Sequence, residues 1–379
     1  MYEALRSESP VLWSREARSW LVFSHGDVRG ALRDPALSSA ARLAEMRCEF
    51  AAGIAVERAE RIAEILAAQL ESSDGEAHAR LRRAFAPAFH RSVRDLERRL
   101  DDIVGGVISL ALASTPVDLV VTVADRVPRE VALEVLGVPP QSRAAFIDDV
   151  DVFLRHPWNP DLDGAGAEAR LRSAIRAAHA GILEELAHSP RTISEDEVLA
   201  NAILIVSAGH RTTANLLGRF LHSLLTDASV RSAAAVDANL PTVVDEILRL
   251  QSPIQTLQRT AVRRTSIGGV EICAGANVTL VVGAANRDPN AFGAPSGFDG
   301  RRSPNPHLAF GHGRHHCLGA RLARLQAMAV ARAVRPELRR LRVVTADVVE
   351  TPEEHRVTEL VVDQRRLDCG PDTSPTKGG

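Results

Sequence analysis

The chain has 379 residues, of which 45% are hydrophobic and 25% charged, and its formal net charge is -2. This apolar content is sufficient for a substantial core, and the small net charge gives no reason to expect nucleic acid or an anionic membrane surface as a partner. No apolar stretch approaches the length of a membrane span, and the N-terminus lacks the layout of a secretion signal. The four widely spaced cysteines do not form a disulfide framework, so we expect a soluble protein of the reducing cytoplasm.

The N-terminal residues predict a small sheet edge followed by helices. The sequence SWLVFS, Ser19 to Ser24, favours a short strand, and a helical segment around Gly26 to Arg33 ends at Asp34-Pro35. Alanine-rich helical patterns then run from about Ala40 to Gln69.

A further helix is predicted to begin at Asp74, whose side chain is suited to cap it. His78 and Arg82 stand four residues apart in this helix and therefore share one face. Two such groups could hold a pair of carboxylates, or they could belong to an exposed polar stripe. The segment considered alone favours the polar stripe.

From Pro116 to His188 the sequence predicts several helices, and prolines separate them. Breaks are expected at Pro128, at Pro139-Pro140 and in the HPWNPD stretch from His156 to Asp161. No catalytic residue is predicted in this region.

A long helix is predicted from Ser194 to about Leu225. The sequence Ser-Glu-Asp-Glu supplies a capping residue and an acidic first turn, and the middle of the helix is apolar over much of its circumference. Ala208 and Gly209 remove side-chain bulk there, although a mid-helix glycine costs about 1 kcal/mol. Either a closely packed helix or another group must fill that space.

The C-terminal half combines an ion pair with short strands. Glu246 and Arg249, in the sequence EILR, stand three residues apart on one helical face. Alternating β-type residues between 252 and 289, with turns at Gly268-Gly269 and Ala274-Gly275, predict a small antiparallel sheet. Two or three strands are expected from Leu341 to Val362.

The most informative stretch is FGHGRHHCLG, from Phe310 to Gly319. Cys317 lies between a glycine-rich loop and a strongly helical run, so its sulfur is expected at a helix N-terminus, where the dipole and free N–H groups lower a cysteine pKa. A persistent thiolate is what a haem iron needs as an axial ligand. Gly311 and Gly313 would let the backbone approach a flat macrocycle closely.

A buried structural cysteine and a zinc site are also compatible with part of this stretch. His312, His315 and His316 crowd the segment, but the sequence lacks the second ligand pair that structural zinc usually requires. The pattern therefore favours haem.

The same stretch resembles the haem-ligand signature of the cytochrome P450 superfamily, F-G-x-G-x-H-x-C-L-G, with every specified position present. The resemblance covers Asp34 to Val362, with the motifs in the family order. It implies a mainly α fold with small β-sheets, in which haem b lies between a long central helix and the helix of the cysteine loop. Cys317 would be the axial ligand. A single domain over residues 1–369 and a disordered tail at 370–379 are expected.

The resemblance also implies roles for residues outside the cysteine loop. The H-x-x-x-R pair of His78 and Arg82 resembles the propionate-binding pair of the family. The E-x-x-R pair, with an arginine from an F-D-x-x-R sequence, is similar to the brace of the haem-side core. The implied haem contacts are His78, Arg82, Arg259, His315, Phe310, Gly311 and Gly319. The implied brace is Glu246, Arg249 and Arg302, and the implied pocket wall is Ile254, Gln255 and Thr256.

The sequence AGHRTT in the long helix resembles the oxygen-binding groove that the family writes as A-G-x-[DE]-T-[TS]. The implied catalytic residues are Ala208, Gly209, Arg211 and Thr212, of which Thr212 would contact dioxygen or an ordered water and help to deliver protons. The chain departs from the pattern at Arg211, where the family usually has an acid. A guanidinium is effectively never deprotonated, and positioned proton transfer is worth roughly 10² to 10⁴ in rate.

Four roles for Arg211 stay open. Protons could arrive through water and Thr212 alone, or Arg211 could hold an acidic substrate. The enzyme could use chemistry that depends less on the relay, such as peroxide-driven oxidation or radical coupling. Arg211 could also point away and pair with a distant carboxylate.

The resemblance implies a bacterial-type haem-thiolate monooxygenase. It would oxidise a small organic molecule, such as a secondary-metabolite precursor, with electrons from a ferredoxin and its reductase. Arg314, Arg321 and Arg324 favour an acidic redox partner at the cysteine loop, unless they form a solvated basic patch. The alternatives are a peroxide-driven or oxidative-coupling enzyme and a non-catalytic ligand-binding or recruitment module.

Overall fold

The computed structural model describes residues 2–41, 56–156, 159, 161–187, 193–351 and 355–364. This part of the chain is mainly helical, with three small sheets. The helices are α1 (Tyr2–Glu8), α2 (His25–Ala31), α3 (Val56–Ala67), α4 (Gly75–Leu112), α5 (Arg126–Leu136), α6 (Arg143–Arg155), α7 (Gly164–Arg176), α8 (Gly181–Ala187), α9 (Glu195–Thr226), α10 (Ala228–Ala234), α11 (Leu240–Leu250), α12 (Val282–Ala285) and α13 (Ala320–Val334). The strands are β1 (Val11–Ser14), β2 (Ser19–Val22), β3 (Leu37–Ser38), β4 (Val117–Asp118), β5 (Thr256–Ala261), β6 (Thr265–Ile267), β7 (Val270–Ile272), β8 (Asn277–Val281), β9 (Leu341–Glu350) and β10 (His355–Gln364).

The sheets confirm the predicted strands and add one pairing. β5 and β8 pair antiparallel, as do β6 and β7, and β9 and β10 follow the last helix. The larger sheet has the order β1-β2-β8-β5-β3, in which β2 pairs with β8 in parallel. The predicted SWLVFS strand is therefore an internal strand of this sheet.

The long helix α9 passes through the centre of the fold. It begins where predicted, because the Ser194 hydroxyl accepts from the Glu197 N–H while the Glu197 carboxylate accepts from the Ser194 N–H at 2.8 Å. Over its 32 residues it contacts α5, α13 and β10. The buried apolar side chains of its C-terminal half belong to the main core, and those of its N-terminal half belong to a second hydrophobic cluster.

The helix α4 has 38 residues and presents one apolar face to α13. Leu81, Phe85 and Phe89 on that face are buried, and so is His78, which is 5% exposed. His78 thus shares the spacing of the core residues. An exposed polar stripe at this position is ruled out.

Pro128 does not break a helix. It lies in the first turn of α5, where a missing N–H costs no intrahelical hydrogen bond, so this prediction is wrong. α5 ends at Gly137, whose φ is 84°, and the predicted break at Pro139-Pro140 follows. Part of the HPWNPD stretch lies outside the described residues.

Further sequence predictions concern parts that the structure leaves undescribed. These parts include much of the expected helical run between Ala40 and Gln69, and the tail at 370–379. The single domain over 1–369 stays a prediction. Within the described ranges, no helix is both long enough and apolar enough to cross a bilayer.

Candidate active site

The cysteine loop connects Phe310 to the first turn of α13. Gly311 and Gly313 have φ of 67° and 75°, left-handed conformations that favour glycine. A Cβ at Gly313 would lie 2.9 Å from the Leu32 carbonyl oxygen, so a larger residue would not fit without movement. The Cys317 N–H donates to the Phe310 carbonyl at 2.9 Å, which closes the loop.

The Cys317 thiol is accessible to solvent, yet it is surrounded by protein. Its side chain has exposed surface, while burial among protein atoms raises the pKa of the thiol. A group with both properties lines a cleft and does not project from the outer surface. The Gly319 N–H, Arg82 and Arg324 favour the thiolate, but they do not outweigh desolvation.

The predicted lowering of the Cys317 pKa is therefore wrong. α13 begins only at Ala320, with Gly319 as its N-cap, so the helix N-terminus acts on the sulfur mainly through one N–H group. A coordinated metal cation deprotonates a thiol outright. The environment of Cys317 thus suits a metal ligand better than a free nucleophile.

Three donors near this cleft lack a carboxylate partner within the described ranges. The buried Nε2 of His78 has no hydrogen-bond partner there. Arg82 and Arg259 form no ion pair in the described structure; their side chains donate to the His316 carbonyl at 2.9 Å and the Gln258 carbonyl at 2.7 Å. Burial lowers the pKa of both arginines.

His78 is held neutral by its surroundings. Burial, together with the neighbouring His315 and Arg82, lowers its pKa to about 4. A group carrying two carboxylates would satisfy the orphaned His78 nitrogen and compensate both guanidinium groups. These residues therefore fit the propionates of a haem.

Asp74 joins the cysteine loop to the N-terminal segment. Its carboxylate accepts from the Ser38 hydroxyl at 2.6 Å and the Ser39 N–H at 3.0 Å, and it lies 3.1 Å from Nε2 of His315. Burial alone would raise the pKa of Asp74, but the hydrogen bonds from His315 and Ser38 hold it well below its usual range.

Two predictions change at this carboxylate. Asp74 occupies the N-cap position of α4, but its side chain makes no capping hydrogen bond, because its oxygens are used by Ser38, its neighbours and His315. His315, predicted to contact a propionate, instead directs Nε2 to Asp74. The ring of His315 lies 4.3 Å from that of His78, measured between centroids.

The middle of α9 has open space beside it. A Cβ added at Gly209 would meet no atom within 4 Å. The Thr212 hydroxyl donates to the Ala208 carbonyl at 2.7 Å, so its oxygen remains available as an acceptor. The helix therefore offers both room and a hydroxyl at the predicted groove.

Arg211 is exposed on α9, and it takes part in an interaction within the described structure. The neighbouring His210 lies two residues from Thr212, on roughly the opposite side of the helix. His210 Nε2 is 2.6 Å from Asp125, which also pairs with Arg129 at 2.9 Å. Sequence reasoning did not identify this cluster, because its members belong to different helices.

The brace residues meet at one fully buried carboxylate. Glu246 and Arg249 are both 0% exposed and lie 2.7 Å apart, and Nε of Arg302 is 3.0 Å from Glu246. Arg249 also donates to the Pro295 carbonyl at 2.6 Å. The Asp299 N–H donates to Glu246 at 3.0 Å, so backbone and side chains converge on the same carboxylate.

The predicted pocket-wall residues differ in accessibility. Ile254 is 37% exposed and Thr256 begins β5. Gln255 is 0% exposed, and its amide donates to the Ser252 carbonyl at 2.6 Å. Gln255 does not line an accessible cleft, because its side chain is directed into the packed interior.

The arginines of the cysteine loop are largely compensated within the chain. Arg321 pairs with Glu97 at 2.5 Å, and Arg324 pairs with Asp245 at 2.6 Å and lies over the Phe310 ring at 4.6 Å. Arg314 donates to the Asp34 carbonyl at 2.8 Å. A basic patch made of these three residues is therefore much weaker than the sequence suggests.

The zinc alternative fails on geometry. Across the described ranges, no three histidine, cysteine or acidic side chains converge as metal ligands. A haem iron needs only one axial ligand from the protein, which Cys317 can supply. The desolvated cysteine and the uncompensated donors fit a protein of the haem-thiolate class.

Comparisons with known proteins agree with this class. The family model named cytochrome P450 matches residues 239–365. The vitamin D(3) 25-hydroxylase of Pseudonocardia autotrophica is 33% identical over 358 residues, 89% of this chain and 86% of the relative. The erythromycin C-12 hydroxylase of Saccharopolyspora erythraea is 32% identical over 347 residues, 85% of this chain and 82% of the relative.

The fold is also similar to that of solved cytochrome P450 structures. The crystal structure of a versatile cytochrome P450 enzyme from Bacillus subtilis matches with a TM-score of 0.79 and 27% identity, covering 96% of this chain and 98% of that one. The chain belongs to the cytochrome P450 family and is a P450 monooxygenase with a haem-thiolate cofactor. The alternative of a non-catalytic module is accordingly set aside.

Proposed function

We propose that this protein, loaded with haem b, uses dioxygen to oxidise a small organic substrate, with electrons from a ferredoxin and its reductase. The observation that carries the proposal is a desolvated Cys317 near three donors without carboxylate partners. When bound, the haem supplies the activation of dioxygen. The protein residues hold the cofactor, exclude water and deliver protons.

Each of the site residues has a defined task in this proposal. Cys317 would supply the sulfur ligand of the haem iron, while His78, Arg82 and Arg259 would hold the two propionates. The hydrogen of the Thr212 hydroxyl is committed to the Ala208 carbonyl, so its oxygen accepts a hydrogen bond from an ordered water. That water passes protons into the cleft beside Gly209.

The names of two relatives support a substrate class. They refer to the hydroxylation of vitamin D(3) and of erythromycin, both mostly aliphatic molecules. We infer a substrate of similar character, from secondary metabolism, that is oxidised in the cytoplasm. The free thiols of Cys273 and Cys317 suit that compartment.

Arg211 favours a second candidate, a peroxide-driven or oxidative-coupling enzyme. An arginine at the usual acid position cannot shuttle protons at neutral pH. Turnover with hydrogen peroxide that exceeds turnover with a ferredoxin chain would support this candidate over dioxygen-dependent oxidation.

The first test is the absorption spectrum of the reduced protein under carbon monoxide. We expect the red-shifted Soret band of a thiolate-bound haem, and we expect Cys317→Ser to abolish it. Cys273→Ser is the matched control, because this free thiol lies outside the cleft, and it should leave the band unchanged. A band that survives Cys317→Ser contradicts the proposed function.

A further inference from the structure

The strand β9 (Leu341–Glu350) forms one edge of the sheet with the order β4-β10-β9. Its ten residues make it longer than a typical strand, which has about five or six. Within the described ranges no strand pairs with its outer edge, and its sequence contains neither proline nor lysine. The outer edge of such a strand presents backbone N–H and C=O groups that can pair with another chain.

Two large apolar side chains of β9 are exposed. Val344 is 53% exposed and Val348 is 40% exposed. The register of β9 with β10 shifts between Val343 and Thr345, so Val344 has no partner residue in β10. A single exposed valine is ordinary on a protein surface, but two on one unpaired strand favour burial against a partner.

The sequence of β9 is complementary to itself when two copies of the strand run antiparallel. From 342 to 350 it reads RVVTADVVE. With a two-fold axis at Ala346, each residue lies opposite the one that is equally far from Ala346 on the other side. Val344 of one copy then lies opposite Val348 of the other, and Val343 lies opposite Val349. Cross-strand pairs of β-branched residues stabilise a sheet.

The charged residues at the two ends of this segment are complementary as well. In the same register Arg342 of one copy lies opposite Glu350 of the other, and the two-fold axis repeats this pair. Arg342 is 3.9 Å from Asp363, and Glu350 is 2.8 Å from Arg219. The side chains of Arg342 and Glu350 are nevertheless 62% and 58% exposed, so both keep accessible surface for a partner.

The neighbouring registers are less complementary. An axis at Asp347 would place this carboxylate opposite its own copy, and like charges directly opposite each other are destabilising. An axis at Thr345 would place Arg342 opposite Val348. Of these three registers, only the one centred on Ala346 pairs valine with valine and arginine with glutamate.

We propose that β9 is a dimerisation edge whose partner is a second copy of this chain. The three strands β4, β10 and β9 of each copy would join into one continuous sheet across the two-fold axis at Ala346. The same surface is used by both copies, so association stops at the dimer. This interaction surface is independent of the proposed catalytic function.

The test compares two double variants that differ in the sign of one charge. Val344→Lys with Val348→Lys places two cations opposite each other across the axis, whereas Val344→Lys with Val348→Glu places a cation opposite an anion. Sedimentation equilibrium of the full haem-loaded chain over a concentration series gives the dimer dissociation constant. Val262→Lys is the matched control, because Val262 is 54% exposed and lies outside β9.

We expect the wild type to form dimers and the variant with two lysines to raise the dimer dissociation constant by about tenfold or more. The variant with lysine and glutamate, like Val262→Lys, should stay within about threefold of the wild type. Double variants that both weaken the dimer, or both retain it, overturn the proposal. A monomeric wild type also overturns it, and would mean that the register shift at Val344 protects the edge from association.

Discussion

Two ionic clusters of this protein use the same side-chain types in opposite surroundings. The buried brace consists of Glu246, Arg249 and Arg302. Its carboxylate is 0% exposed and receives both guanidinium groups as well as the Asp299 N–H. Every acceptor position of that carboxylate is used, so it has one well-defined geometry.

The surface network consists of Arg61, Glu168, Arg172 and Asp196. It joins α3 and α7 to the first turn of α9, with Arg61 2.6 Å from Glu168 and 3.2 Å from Asp196. The side chains of Arg61 and Asp196 are 35% and 47% exposed. Water and salt therefore screen these attractions, so the ion pairs contribute little to stability.

The difference shows that burial, more than charge, decides how much the loss of one partner of an ion pair reduces stability. In the brace, loss of one partner leaves a cation in a site without water. In the surface network, water replaces the lost partner. The same chemistry thus fixes the geometry around Glu246 but contributes little to the association of α3, α7 and α9, which share a buried hydrophobic cluster.

The largest expected effect is that of Glu246→Gln. The change leaves Arg249 and Arg302 without a compensating charge, so the free energy of unfolding should fall by about 3–5 kcal/mol. Denaturant unfolding measures this loss. Asp196→Asn is the corresponding substitution in the surface network, where this side chain is 47% exposed, and it should cost less than about 1 kcal/mol. Equal losses would remove the distinction between the clusters.

A smaller effect is expected from acid, through a buried histidine. His355 in β10 is 8% exposed, its Nδ1 lacks a partner in the described structure, and burial lowers its pKa from 6.5 to about 4. The unfolded chain takes up the proton first, so stability is lost as the pH falls from 6.5 towards 4. The loss should reach at most about 3 kcal/mol.

Denaturant midpoints across that pH range provide the measurement. His355→Gln cannot take up a proton, so its stability should fall less steeply between these pH values than that of the wild type. His179→Gln, which replaces an exposed histidine, is the control substitution. An identical slope in the wild type and His355→Gln would mean that other groups cause the acid sensitivity.

The smallest effect is expected from Arg61→Gln. It removes contacts to Glu168 and Asp196, and at low salt we expect a loss of about 1 kcal/mol or less. At about 1 M salt the difference from the wild type should vanish, because the screening length is then about 3 Å. Thermal melting over a salt series measures the difference in stability between Arg61→Gln and the wild type. Arg98→Gln, which removes one partner of an exposed ion pair, is the control. A loss of stability that does not depend on the salt concentration would mean that Arg61 behaves like the residues of the buried brace.

Features that depend on residues close together in the sequence were predictable. The start of α9 depends on Ser194 and Glu197, which are three residues apart, and the cysteine loop depends on glycines beside Cys317. The pairing of β5 with β8 follows from alternation and turns. In each case the physical cause lies within a few residues of its effect.

Features that depend on tertiary burial were not predictable. The Cys317 pKa is raised because distant elements enclose the sulfur, although the sequence around it favours a thiolate. Gln255 is turned inward to Ser252, and Leu70 is held by Asn201, 131 positions further along the chain. A polar Asn201 within an apolar helix was the one available signal.

The sharing of the Asp74 carboxylate has a consequence for biosynthesis. The chain between Ser38 and Asp74 leaves the ribosome well before His315, which lies 241 positions beyond Asp74. The contact that orders the cysteine loop cannot form until both have arrived. Cofactor capture is therefore tied to synthesis of the cysteine loop, and a product that terminates before this loop would have no assembled place to keep a porphyrin.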